Sequence, residues 1–145
     1  MARTTADLDT AAGEERPGDA LHDRLRDLLA RFEREVKGVL GSAVIDSEGV
    51  ALAWTLKGGA HQIVVSTLGT ALHQLIGRTG GALDLGPTER GIVTCEKGSL
   101  AVYDVPRTNG LLLVVLLDSN ANYIDFMVRV RLLVTDVSRV VAGGA

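Results

Sequence analysis

Apolar positions along this chain change their spacing at its glycines, and the changes mark out the elements. Leu21, Leu25, Leu28, Leu29, Phe32 and Val36 fall at helical spacing, with Arg24, Asp27, Arg31 and Glu35 between them. That pattern predicts an amphipathic helix with one buried stripe, capped by Asp19 and ended at Gly38 or Gly41. Gly41–Asp46 and Val50–Trp54 are short apolar segments flanking Ser47-Glu48-Gly49. They predict a β-hairpin whose turn uses glycine in the left-handed conformation. Leu111–Leu117 is an unbroken apolar run between Asn109-Gly110 and Asp118-Ser119-Asn120. A strand sends alternate side chains to opposite faces, so an all-apolar strand must be covered on both. This run predicts the centre of a sheet.

The remaining segments arrange themselves around that strand. Ala60–Arg78 predicts a second helix with Val64, Leu68, Ala71, Leu72 and Leu75 toward the core, ended by Thr79-Gly80-Gly81. Its other side carries Gln62, Ser66, Gly69, Thr70 and His73, where a solvated helix would carry Lys and Glu. Glycine inside a helix costs about 1 kcal/mol relative to alanine. Close approach of a second surface, or of a neighbouring strand, would account for it. Glu89–Cys95 and Leu100–Val105 predict two more strands, which complete an antiparallel meander with the central run. Ala121–Val141 predicts a last helix capped by Ser119 or Asn120, with Tyr123, Phe126, Val130, Leu133, Val137 and Val140 on one face.

Length and charge sharpen this picture. A chain of 145 residues fits one domain. Residues 1–18 have the composition of a disordered tail, leaving 19–145 as the single domain. The net charge of −3 resides in residues 1–19, so the body is neutral and lacks the basic footprint of a nucleic-acid binder. No apolar run reaches the length of a membrane span, and the start has no secretory h-region. With Cys95 the only cysteine, a cytoplasmic location is expected.

Catalytic patterns are missing. The sequence has no G-x-S-x-G, H-E-x-x-H or C-x-x-C, and Lys57-Gly58-Gly59 lacks the rest of a phosphate-binding loop. His61 and His73 do not share a helix face, so no metal site is expected. Cys95 reads as a small buried strand residue. Asp46, Asp104 and Asp118 sit at strand ends, where turns favour aspartate, and no acid and base pair up along the chain. A non-enzymatic binding module with no cofactor is expected. A small-ligand sensor of PAS or profilin-like type is the alternative, though two Phe, two Tyr and one Trp supply few pocket-lining aromatics.

The order helix, two strands, helix, three strands, helix resembles the Roadblock/dynein light chain family over about residues 20–141. The resemblance rests on Val44–Ala53 as the hairpin, on Leu112–Leu117 followed by Asp118-Ser119-Asn120-Ala121-Asn122, and on Arg129-Val130-Arg131-Leu132. Members often carry glycine in the first turn of the last helix, where this chain has Ile124 or a neighbour. The resemblance implies an α+β profilin-like sandwich, α-β-β-α-β-β-β-α, with an antiparallel sheet of order 2-1-5-4-3 and helices on both faces. It also implies a homodimer and a small Ras-like GTPase as partner, with no catalytic residue to carry over. In that order the third strand is an edge, and proteins cover or block such edges. Pairing with a second copy is expected there, with Ser66, Gly69, Thr70, His73, Arg90, Ile92 and Thr94 at the interface.

Overall fold

The computed structural model describes residues 17–56 and 59–143. The expected tail, up to residue 16, lies outside them, as do Lys57 and Gly58 of the glycine-rich loop. The elements run α1 (Pro17–Glu35), β1 (Val39–Ile45), β2 (Ala51–Trp54), α2 (Gly59–Ala82), β3 (Arg90–Cys95), β4 (Gly98–Asp104), β5 (Leu112–Asp118) and α3 (Tyr123–Val141). All strands pair antiparallel in the order β2-β1-β5-β4-β3.

β5 is the middle strand, and Leu112–Val115 and Leu117 are buried on both of its faces. One face packs against α1 and α3. Leu25, Leu29, Phe32 and Val36 of α1 meet Phe126, Val130, Leu133 and Val137 of α3 over Leu113, Val115 and Leu117. The other face packs under α2, where Val65 covers Ala43, Ile45, Val102, Leu112 and Val114. β1 is buried on both faces from Gly41 to Ile45, because it lies next to β5 beneath the same two layers.

The hairpin turn is closed from within. Asp46 Oδ1 accepts from the amides of Glu48 and Val50, each at 2.9 Å, and Gly49 has φ +84°. Two boundaries differ from expectation. α2 continues through Gly80-Gly81 to Ala82 and closes at Asp84 (φ +54°), with the Leu85 amide on the Gly80 carbonyl at 2.8 Å. The space a side chain would fill at Gly80 is taken by the Gly86 carbonyl. Its glycine therefore serves the returning loop and not helix termination. At α3 the cap is Asn122, whose Oδ1 accepts from the Asp125 amide at 3.0 Å. Residues 118–121 first form a turn, with the Ala121 amide on the Asp118 carbonyl, so Ser119 and Asn120 come too early to cap.

Candidate functional site

An α-helix advances 100° per residue, so the residues of α2 that touch the sheet fix what the rest can face. Val65, Ser66, Gly69, Leu72 and Ile76 lie toward the sheet. A Cβ at Gly69 would stand 2.8 Å from Cγ2 of Val114, and one at Gly91 of β3 would run into Ile76. The expected stripe is therefore corrected. Of its five residues, Leu72 packs inward, while Val64, Leu68, Ala71 and Leu75 stay exposed. Glycine stands at position 69 because the helix lies too close to Val114 there to admit a side chain.

The residues expected at the interface are placed as follows. Ser66 is buried, and Gly69 lies against Val114 of the chain's own central strand. Thr70 is half-buried and donates to the Ser66 carbonyl at 2.8 Å. His73 Nε2 meets Asp104 Oδ1 at 2.7 Å, with about a third of each side chain exposed. Sequence spacing gave no hint of this acid–base pair, whose partners are 31 residues apart. Arg90, Ile92 and Thr94 do lie on β3, and β3 pairs with β4 alone. Their side chains point to the α1/α3 face, opposite Gly91, Val93 and Cys95. Cys95, expected to be buried, is exposed at the end of this edge strand.

Gln62, Ser66 and Thr67 border Val50, Ala51 and Trp54 on the β2 side of α2. Val64, Leu68 and Leu75 therefore occupy the flank toward β3, at 52, 53 and 61 % exposure, and Val93 on the same sheet face is 43 % exposed. An apolar helix flank thus lies beside an unpaired strand edge. Single exposed apolar residues are ordinary, but a contiguous set is a mark of an interaction surface.

Around the end of the sheet, from His73 of α2 to Arg131 and Val134 of α3, a groove of about 880 Å³ opens beside the β4–β5 turn. Tyr103, Val105 and Val134 form its apolar floor, and Arg90, Arg107 and Arg131 stand around it. The turn is held by Ser138 Oγ on the Pro106 carbonyl at 2.6 Å and by Thr108 Oγ1 on the Val105 carbonyl at 2.7 Å. Burial and the neighbouring Tyr123 raise the Tyr103 phenol above its ordinary value of 10.0, with Arg90 and Arg131 opposing the shift. Among the described residues no cluster of His, Cys, Asp or Glu is arranged to hold a metal. Nor is any described helix long and apolar enough to cross a membrane.

Comparison with known proteins agrees with this architecture. The family model for the Roadblock/LC7 domain matches residues 25–117. A Roadblock/LC7 domain from Streptomyces avermitilis superposes with a TM-score of 0.72 at 18 % identity, covering 77 % of this chain and 92 % of that one. The gliding protein MglB of Thermus thermophilus gives 0.73 at 18 % identity, over 83 % and 90 % of the two chains. Myxococcus xanthus MglB gives 0.73 at 12 %, over 82 % and 95 %. At these identities the likeness establishes the fold. No curated protein matches the sequence.

Proposed function

This chain belongs to the Roadblock/LC7 domain family, and from that premise we propose that it is a non-catalytic homodimeric scaffold or regulator. It binds a small Ras-like GTPase and modulates that partner's nucleotide cycle or its location. The observation that carries the dimer is the apolar flank of α2 lying beside the unpaired edge of β3. Antiparallel pairing of β3 with the same strand of a second copy closes both edges about a two-fold axis. It also brings the two Val64–Leu68–Leu75 flanks together. The GTPase is what membership of this family implies.

Two measurements test this reading. Light scattering at micromolar concentration is expected to give twice the chain mass, and a monomer would refute the dimer. Co-purification with small GTPases from the source cell, loaded with GDP or a GTP analogue, is expected to show binding that differs between the two states. Binding in neither state would remove the regulatory role and leave a scaffold.

A further inference from the structure

The groove beneath the β4–β5 turn gathers three arginines against two carboxylates. Arg31, Arg129 and Arg139, on α1 and α3, are each matched to a carboxylate, respectively Asp136, Glu35 with Asp125, and Asp136. The guanidinium groups of Arg90, Arg107 and Arg131 form no ion pair or hydrogen bond among the described residues, and all three residues line one concavity. They come from three separate elements: the start of β3, the β4–β5 turn and the middle of α3. Of the two carboxylates in the lining, Asp104 is engaged by His73, which leaves Glu89 as the only uncommitted counter-charge there.

Arg107 adds an independent sign. Its φ of +61° lies in the left-handed region, which side chains other than Gly, Asn and Asp rarely adopt. Glycine would fit that backbone without strain. The Ser138 and Thr108 hydrogen bonds hold the turn in this shape, so the guanidinium is carried at the rim at a conformational cost. Tyr103 donates its hydroxyl to the Met127 sulfur at 3.8 Å, a weak acceptor that a better one displaces.

We propose that this groove binds a small-molecule phosphate monoester, its phosphate among Arg90, Arg107 and Arg131 and its apolar body on Tyr103, Val105 and Val134. Planar guanidinium forks match phosphate oxygens, and a dianion with three terminal oxygens takes several forks where a carboxylate takes one. The volume lies within the range of small-ligand pockets. The site is complete within one chain and does not depend on the GTPase reading.

Phenyl phosphate, inorganic phosphate and benzoate, titrated calorimetrically into the intact protein, form the test. Phenyl phosphate is expected to bind saturably and most tightly of the three, and more weakly as salt rises. Arg90→Gln and Arg131→Gln should each weaken it by roughly three- to tenfold, while Arg34→Gln on α1 leaves it unchanged. Arg107→Gly should weaken binding yet raise the melting temperature, which separates lost affinity from lost fold. Absence of saturable phenyl phosphate binding overturns the proposal. So does retention of wild-type affinity in the Arg90→Gln and Arg131→Gln variants, or an equal loss in Arg34→Gln.

Discussion

Gly69 shows how much a single missing side chain decides. It lies over Val114, which is fully buried in the central strand, and a Cβ there would approach Cγ2 to 2.8 Å. Alanine would gain about 1 kcal/mol of helix propensity. Against this, forcing a methyl into a packed core costs about 1–3 kcal/mol, and Val114 has β5 behind it with nowhere to move. Gly69→Ala is therefore expected to be less stable by about 1 kcal/mol, read as a lower urea midpoint, with its light-scattering mass unchanged. A midpoint at or above that of the wild type would mean the strand yields. The sequence announced that something must come close to Gly69, since glycine is a poor mid-helix residue. It could not say whether that surface belonged to the same chain, because spacing reports a helix face and not what lies against it.

At the level of elements, α1 and α3 were legible because each has one apolar stripe set between charges. β5 was legible because seven consecutive apolar residues leave a strand no wet side. α2 was not, since Ile63, Val64, Val65, Leu68, Leu72, Leu75 and Ile76 run round its circumference and periodicity alone selects no face. Packing set Val65, Ser66, Gly69, Leu72 and Ile76 toward the sheet and left Val64, Leu68 and Leu75 outside. The groove was also hidden, for Arg90, Arg107 and Arg131 are far apart in the chain and only the crossing of β3, β4 and α3 brings them together. The corrected orientation of α2 carries its own expectation. Leu68 is half exposed, so Leu68→Glu should change the chain's own stability little, within about 0.5 kcal/mol as for surface substitutions generally. In the proposed dimer it would place two carboxylates against each other without water, which is strongly unfavourable. A folded monomer by light scattering and circular dichroism is the expected result. A Leu68→Glu dimer as tight as the wild type would move the interface off this flank.

For the molecule as a whole, strand order distributes the vulnerable edges unequally. β2 ends the sheet with four residues, whereas β3 ends it with six and carries charge only at its first position, Arg90. Short or charged edges discourage pairing, so the sheet is guarded at one end and open at the other. The same order has a consequence for synthesis on the ribosome. β1 emerges early but pairs with β5, Val39 with Leu117 and Ile45 with Leu112, and β5 is the last strand made. Until then β1 has only the short β2 beside it, and two-stranded hairpins are marginal in water. Closing so long a loop is also slow. The amino-terminal half must therefore wait, with one edge of β1 unpaired, for the centre of the sheet to arrive. Ribosome-bound chains ending at Gly110 are expected to be cleaved by protease within residues 39–54, and released full-length chains to resist. Protection of that hairpin before β5 exists would show that the waiting half folds on its own.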